Sequence, residues 1–145
     1  MVRSESSSGD SKMTFVLSAR SLARLEGVHP DLVKVVKRAI KDTSVDFSVV
    51  EGVRSLAKQR EYFNKGKSTT MNSRHLAGMK GLSHAVDLAP WINGEIDWVH
   101  PQGWAAIAKA MKIAALGLGV SLEWGGDWHT FVDKPHWQLP WSKYP

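Results

Sequence analysis

The chain has 145 residues, a net charge of +5 and no cysteine. Hydrophobic residues at 43% and charged residues at 23% are ordinary for a globular domain, and the length suits one domain with a real core. The lack of cysteine excludes disulfides and thiolate metal sites, and no apolar run reaches the ~20 residues of a membrane span. Any metal site must therefore use histidine with aspartate or glutamate.

The N-terminal stretch is more polar than the rest of the chain. Residues 1–12, MVRSESSSGDSK, predict a flexible leader, and the apolar stretch after it is too short for a signal peptide. We expect one domain over residues 13–145. The positive charge favours anionic partners, but scattered lysines and arginines without a helix-turn-helix or RNA-binding signature argue against nucleic acid.

Helices and short strands alternate along the predicted domain. In the first half of the chain, the pattern predicts a helix over residues 29–40, a strand over 46–54, a helix over 55–65 and a long loop over 66–83. In the second half, it predicts a strand over 84–92, a turn into a strand over 95–98, and a helix over 101–119. Two further strands, over 120–124 and 136–139, lie on either side of a GGDW turn. Such an order is typical of an α+β fold with a small, mostly antiparallel sheet and flanking helices.

Two segments of the chain carry side chains that can bind a metal. The stretch NSRHLAGMKGLSHAVDLAP, residues 72–90, contains His75, His84 and Asp87, and DKPHWQL adds Asp133 and His136. Two ligands from the first segment and one from the second can form a site with an open position for water. A carboxylate beside such a site can take a proton from the water. Spacing alone supports this site and simple hydrogen-bonded His–Asp pairs about equally.

The same motifs occur in order in a known family. SRHLAG…HAVDLAP, with EGVRS upstream and DKPHWQL downstream, resembles the zinc peptidases of the VanY and D-alanyl-D-alanine carboxypeptidase family. The resemblance is strongest to the small L-alanyl-D-glutamate endopeptidases that serve as endolysins of tailed phages, and it extends from about residue 13 to residue 145. It implies the fold that these enzymes share with the hedgehog N-domain, a small antiparallel sheet with flanking helices.

The resemblance implies one Zn²⁺ per chain, held by His75, Asp87 and His136. The spacing between the first two is longer than in the family, and the alignment makes MKGLS, residues 79–83, an insertion that a loop can absorb. The insertion also makes His84 an alternative to His75. An offset of three residues on a strand points His84 and Asp87 to opposite faces, which favours His75.

The resemblance also assigns catalytic and substrate-binding roles. Asp133 falls on the catalytic acidic residue, and Arg54 falls on an arginine that can stabilise the oxyanion of the tetrahedral intermediate. Without the resemblance, an ion pair with the glutamate three residues earlier would be the better interpretation of Arg54. Substrate contacts fall on Gln59 and Ser73. Gln138 stands where many relatives have glutamate, so its support of the preceding histidine brings no charge.

The chain has seven tryptophans, whose pattern favours core positions over sugar-binding ones. Three of them, Trp124, Trp128 and Trp137, flank the predicted site in the sequence. We expect these three to border its groove.

The implied function is a zinc-dependent peptidoglycan endopeptidase that cleaves the L-Ala–D-Glu bond of the stem peptide with metal-activated water. Two alternatives stay open, a D-Ala-D-Ala carboxypeptidase or dipeptidase, and a non-catalytic, zinc-containing module that binds the cell wall. We expect a monomer without signal peptide or transmembrane segment, made in the host bacterial cytoplasm. It would meet the wall after a separate pore-former opens the membrane, and its basic surface would bind anionic envelope polymers.

Overall fold

The computed structural model describes residues 14–67, 73–77 and 81–145, and over these residues the predicted α+β fold is confirmed. The helices are α1 (Ala19–Arg24), α2 (Pro30–Asp42), α3 (Leu56–Asn64) and α4 (Pro101–Leu118). The strands are β1 (Phe47–Glu51), β2 (Ala85–Ile92), β3 (Glu95–Ile96), β4 (Glu123–Trp124) and β5 (His136–Gln138). None of the described helices is long and apolar enough to cross a membrane.

The two longest helices begin with the same local sequence, a histidine followed by a proline. The ring nitrogens of His29 and His100 accept hydrogen bonds from the backbone N–H of Asp31 at 3.1 Å and Gly103 at 2.9 Å. Proline suits the first turn, where the helix has no use for its missing N–H. Helix α4 ends at Leu118 and is capped by Gly119, which adopts the left-handed conformation with φ of 70°. The predicted helices over residues 29–40 and 101–119 are thus confirmed.

The sheet is antiparallel throughout, with the strand order β1-β2-β5-β4 and with β3 paired to β2. Side chains along β2 alternate between its two faces. Val86 and Leu88 are fully buried in the core, together with the apolar stripes of α2 and α4. Asp87, between them, points to the opposite face and lies directly across from His136 on β5. The helices therefore cover one face of the sheet and leave the other free for the site.

A helix that the sequence pattern does not predict precedes residue 29. Helix α1 has six residues, too few for an apolar period to show, and it is capped by the Oγ of Ser18, which accepts from the Ser21 N–H at 3.0 Å. The Oγ of Ser21 in turn accepts from the backbone N–H of Val49 on β1 at 2.9 Å. The C-terminal end of α1 packs so tightly on Gly52 that a Cβ there would lie 2.1 Å from the Arg24 carbonyl oxygen.

Several predicted strands are shorter in the structure. The strand predicted over residues 120–124 keeps two residues in β4, and the strand predicted over 95–98 keeps two in β3. The first strand, predicted to reach residue 54, ends at Glu51, and its pairing with β2 shifts register between Val49 and Glu51. The predicted leader, residues 1–12, lies outside the described residues, as do residues 68–72 and 78–80 of the predicted loop over 66–83.

Candidate metal centre

Two histidines and one aspartate converge at the middle of the free face of the sheet. The Nε2 atom of His75 lies 3.0 Å from Asp87 Oδ1. The Nδ1 atom of His136 lies 3.2 Å from that nitrogen and 3.3 Å from that oxygen. One ligand atom from each residue lies within 4.8 Å of the others, so the group can hold a metal ion. These are the three residues that the resemblance assigns as metal ligands.

Hydrogen bonds on the far side of each ring set the tautomers of the two histidines. His75 Nδ1 lies 2.8 Å from the carbonyl oxygen of Gly52, which can only accept, so in the neutral ring this nitrogen carries the proton. His136 Nε2 lies 2.7 Å from Gln138 Oε1 and donates to it for the same reason. Each neutral ring therefore directs its lone pair at the cluster, as a metal ligand must.

The charges in the cluster favour a cation at its centre. Burial raises the pKa of the Asp87 carboxyl, but the positive charges and hydrogen bonds of His75 and His136 outweigh burial and hold this pKa well below its usual range. Burial lowers the pKa of the His136 ring, but the hydrogen bond and charge of Asp87 outweigh it and raise this pKa above its usual value. The protein thus stabilises positive charge next to Asp87, which a metal ion can supply in place of a proton.

His75 lies outside the regular strands but is fixed to the sheet by its backbone. Its carbonyl oxygen accepts from the Arg54 N–H at 2.9 Å, and the next residue, Leu76, forms a bridge with Arg54. Its own N–H donates to Ser73 Oγ at 3.1 Å. The His75 side chain is 1% exposed. This candidate ligand therefore sits in a short, paired segment within the predicted loop over 66–83.

His84 lies away from the metal centre, as the offset of three residues from Asp87 predicts. Its ring packs 5.4 Å from the His29 ring and 6.5 Å from that of Tyr144. Burial, followed by the positive charge of Arg74, lowers the pKa of its imidazole. Within the described residues, the group that can hold a metal contains His75 and not His84.

The predicted insertion over residues 79–83 lies partly outside the described residues, and its last residue is firmly held. Ser83 is fully buried, and its backbone N–H donates to the Gly27 carbonyl oxygen at 2.8 Å. Its own carbonyl oxygen accepts from the His29 N–H at 2.8 Å. The chain is thus pinned to the connection between α1 and α2 before it enters β2.

Asp133 lines the cleft beside the metal centre, in the turn that leads into β5. Burial raises the pKa of its carboxyl, and the negative charge of Asp87 raises it further. Its backbone N–H donates to the Gly125 carbonyl oxygen at 3.0 Å, and its carbonyl oxygen accepts from the His136 N–H at 3.1 Å. A Cβ at position 125 would lie 2.3 Å from the Asp133 carbonyl oxygen, so the GGDW turn needs glycine there.

Arg54 forms the ion pair with Glu51 that its sequence position suggests, and it also lines the cleft, as the resemblance implies. Its Nη2 lies 2.6 Å from Glu51 Oε1 and 3.9 Å from Asp87 Oδ2, and its side chain is 8% exposed. Its Nη1 donates to Gln59 Oε1 at 2.7 Å and to Ser73 Oγ at 3.5 Å. The structure thus brings Gln59 and Ser73 together around the Arg54 guanidinium.

The cleft above the centre has a volume of about 810 Å³ and is edged by aromatic side chains, namely Tyr62, Trp98, Trp128, Phe131 and Trp141. Of the three tryptophans predicted to border it, only Trp128 does so. Trp137 is 1% exposed and belongs to the core, and the ring of Trp124 stacks on it at 5.2 Å. Alternation along the short strands β4 and β5 directs these two rings together, away from the cleft.

Sequence reasoning missed Glu123, which also lines the cleft. It lies on β4 opposite Gln138 of β5, and the Gln138 Nε2 donates to Glu123 Oε1 at 3.4 Å. Its other oxygen accepts from Trp128 Nε1 at 2.8 Å. A charged residue inside a short apolar strand is the signal that could have identified it. Its contact with Gln138 places a carboxylate two hydrogen bonds away from His136.

The fold and the site define a class of protein, α+β domains with a candidate metal centre that opens to a substrate cleft. Three protein ligands and one open side are typical of catalytic rather than structural zinc sites. The described part of the chain shows this arrangement with two histidines and one aspartate.

Comparison with known proteins identifies the family. The model of the phage L-alanyl-D-glutamate peptidase family matches residues 13–137, and the chain belongs to this family. The chain is 35% identical over 124 residues to the L-alanyl-D-glutamate peptidase of Escherichia phage T5, covering 83% of this chain and 87% of the relative. It is 32% identical over 136 residues to the enzyme of the same name from Listeria phage A118, covering 91% of this chain but 45% of that longer protein.

A solved structure supports the same assignment. The chain matches the crystal structure of the L-Ala D-Glu endopeptidase ChiX of Serratia marcescens with a TM-score of 0.80 and 44% identity, covering 90% of this chain and 94% of that one. The agreement in fold confirms the antiparallel α+β architecture that the resemblance implies.

Proposed function

We propose that the chain is a zinc-dependent peptidoglycan endopeptidase of the phage endolysin type that cleaves the stem peptide between L-Ala and D-Glu. Membership of a family named for this activity supports the proposal. The single structural observation that carries it is the convergence of His75, Asp87 and His136 at the floor of an open cleft. Such a site has the ligand number and the access that hydrolysis by a metal-activated water requires.

Zinc is the ion that suits this donor set. Two imidazole nitrogens and one carboxylate oxygen are ligands that zinc accepts in tetrahedral catalytic sites, whereas magnesium and calcium prefer oxygen alone. When bound, zinc supplies Lewis-acid polarisation of the scissile carbonyl and a lowered pKa for the attacking water. The protein's own contribution is to fix the tautomers of two histidines. The Gly52 carbonyl oxygen holds His75, and the Gln138 side chain holds His136, so that the unprotonated nitrogen of each ring faces the ion.

Asp133 acts as the proton carrier in this proposal. It accepts a proton from the attacking water and delivers it to the amine of D-Glu as the peptide bond breaks. The same carboxyl group thus takes up the proton and releases it, and no second residue is needed for the transfer. Burial and the charge of Asp87 support this role, because they raise the pKa of the Asp133 carboxyl towards the range in which a base can also give its proton back.

Arg54 stabilises the negative oxygen of the tetrahedral intermediate, and Gln59 and Ser73 contribute to substrate binding. The hydrogen bonds that Gln59 and Ser73 accept from Arg54 support a further role, which is to hold the guanidinium in place. A fixed cation requires no reorganisation when charge develops in the transition state.

The natural partner in this proposal is the peptidoglycan of a bacterial host, and the net charge of +5 supports additional attraction to anionic envelope polymers. The phage relatives support synthesis in the host cytoplasm, followed by access to the wall once the membrane is permeabilised. We infer a monomer with one zinc ion.

Digestion of purified peptidoglycan tests the proposal. The protein is stripped with a chelator, reloaded with one equivalent of zinc, and its products are identified by mass spectrometry. A new N-terminal D-Glu that depends on zinc is expected. Release of free D-Ala would instead identify a D-Ala-D-Ala carboxypeptidase or dipeptidase, and zinc binding without any product would identify a wall-binding module. Full activity after complete metal removal would exclude the metal mechanism.

A further inference from the structure

A chain of hydrogen bonds runs from the metal centre to the outer strand of the sheet. His136 Nε2 donates to Gln138 Oε1 at 2.7 Å, and Gln138 Nε2 donates to Glu123 Oε1 at 3.4 Å. The second Glu123 oxygen accepts from the Trp128 indole N–H at 2.8 Å. His136 and Gln138 are 7% and 6% exposed, so water has little access to the first link.

The strand register explains how the chain of hydrogen bonds forms. His136 and Gln138 are two residues apart on β5, so both side chains project on the cleft face of the sheet. Glu123 of β4 is the direct cross-strand partner of Gln138. Side chains at such paired positions lie about 5 Å apart at Cβ, which lets the amide bridge the histidine and the carboxylate.

The order of donors and acceptors along these hydrogen bonds determines which nitrogen of His136 can bind a metal. A carboxylate only accepts, so Glu123 fixes the NH₂ side of the Gln138 amide and turns its oxygen to His136. If the amide were reversed, its NH₂ would face His136 Nε2 and force the ring proton to Nδ1. That proton would occupy the lone pair that points at His75 and Asp87.

We propose that Glu123 and Gln138 act as a pair of positioning residues that fix the metal-binding tautomer of His136 and make its ring a stronger ligand. Glu123 supplies the negative charge, and the Gln138 amide relays it through two polarised hydrogen bonds. The proposal rests on the metal site of the proposed function but not on which peptide bond is cleaved.

A set of variants that moves the charge tests the proposal. Glu123→Gln removes the charge and lets the Gln138 amide turn over, since residue 123 can then both donate and accept. Gln138→Met removes the amide that joins Glu123 to His136 and keeps a side chain of similar length. The double variant Glu123→Gln/Gln138→Glu moves the single charge directly onto His136. Asp127→Asn is the matched control, because this nearby carboxylate pairs with Lys112 at 3.1 Å outside the relay.

Zinc affinity is measured without substrate, by competition with a chromophoric chelator, and the visible spectrum of the cobalt-substituted proteins reports the ligand geometry. We expect each single variant to bind zinc about 10-fold more weakly, which is the usual effect of losing such a partner, and the control to bind as the natural sequence does. The double variant should recover the natural affinity and spectrum. A purely structural role of Glu123 would not give this recovery.

Two results would overturn the proposal. One is natural zinc affinity in the Glu123→Gln protein, and the other is a double variant no tighter than the single ones. Thermal unfolding of the metal-free proteins separates a folding defect from a loss of affinity. Since no peptide is cleaved in these measurements, their outcome is independent of whether the L-Ala–D-Glu bond is the one that the enzyme cuts.

Discussion

The imidazole Nδ1–H of His75 donates to the carbonyl oxygen of Gly52 at 2.8 Å. Gly52 directly follows β1, so the first candidate ligand takes its position from the sheet and not from the length of the loop that carries it. The backbone pairing of His75 with Arg54 has the same effect. A longer connection between His75 and Asp87 is therefore compatible with an intact metal centre.

Replacement of the two candidate first ligands should have opposite effects. His75→Ala should abolish zinc binding and activity, because two ligands remain. His84→Ala should keep one zinc per chain and most of the activity, since its ring contacts His29 and Tyr144 instead of the centre. Elemental analysis after dialysis and a lysis assay measure both. Loss of zinc in the His84→Ala protein with retention in the His75→Ala protein would reverse the ligand assignment.

Gly52→Ala should damage both stability and the metal centre. The added Cβ would lie 2.1 Å from the Arg24 carbonyl oxygen, so α1 must shift, at a cost of about 1–3 kcal/mol in the free energy of unfolding. Zinc affinity should fall as well, because the Gly52 carbonyl moves with respect to His75. Gly117→Ala in α4 is the control. It meets nothing within 4 Å and should stabilise by about 0.5–1 kcal/mol. Denaturant titration with and without zinc measures the stability and the zinc affinity of both variants. Equal zinc affinity of the two variants would contradict the link between Gly52 and the metal centre.

Asp133→Asn should separate catalysis from metal binding. The amide cannot carry the proton, so turnover should fall by about 10²–10⁴-fold. Zinc stoichiometry should stay at one, since Asp133 is not in the ligand group. Asp127→Asn, which removes an exposed carboxylate nearby, should be as active as the natural sequence. Initial rates on purified cell wall decide the matter, and full activity of the Asp133→Asn protein would assign the proton transfer to another residue.

The stability of the metal-free protein should peak at mildly acidic pH. The native pKa of Asp87 is lowered, so its contribution is present above the unfolded value of about 3.9 and is lost as the pH falls towards the native pKa. The native pKa of His136 is raised, so its contribution is complete below about pH 6.5 and is lost as the pH rises through the native pKa.

The peak in the melting temperature of the chelator-treated protein should therefore lie between about pH 4 and pH 6.5. Zinc should remove the decline above this window, because protons and metal compete for His136 and the metal gains as the pH rises. Calorimetric scans of both forms across this range measure the effect. Parallel pH profiles for the two forms would show that the Asp87–His136 pair does not carry the metal.

Lys67 should contribute to substrate affinity. It lines the cleft, and its ammonium lies 6.0 Å from the centre of the Tyr62 ring. Lys67→Met should raise KM for cell wall by roughly 2- to 5-fold at low salt, with little change in kcat. Added salt should reduce this difference in KM between the variant and the natural sequence. Lys65→Met is the control, because Lys65 pairs with Glu61 at 2.9 Å on the helix surface. An equal effect of both variants would indicate general surface charge rather than a cleft contact.

The sequence predicted the helices and the group of side chains that could hold a metal better than it predicted the sheet. His-Pro starts and apolar stripes define α2 and α4 locally, and the ligands fall in motifs that resemble a known family. Helix α1 escaped prediction because six residues cannot show a helical period and its packing depends on Gly52 and β1. The two-residue strands β3 and β4 are equally invisible, because they exist through pairing with distant residues.

The role of Glu123 could not be predicted for the same reason. Glu123 and Gln138 are far apart in the sequence, and they meet because β4 pairs with β5 in one particular register. No local sequence pattern determines that register. The tryptophans show the converse error. Trp124 and Trp137 are close to the site in sequence, yet strand alternation directs their rings away from the cleft and into a stacked pair at the core.

The pairing of Asp87 with His136 links the activity of the enzyme to the completion of its fold. These ligands are direct partners across β2 and β5, so a slip of one residue between the strands would turn one of them to the opposite face and leave no centre. Under the proposed mechanism, a misaligned chain is therefore inactive rather than weakly active. Correct alignment of β2 and β5 therefore has to precede any capacity to cleave a peptide bond.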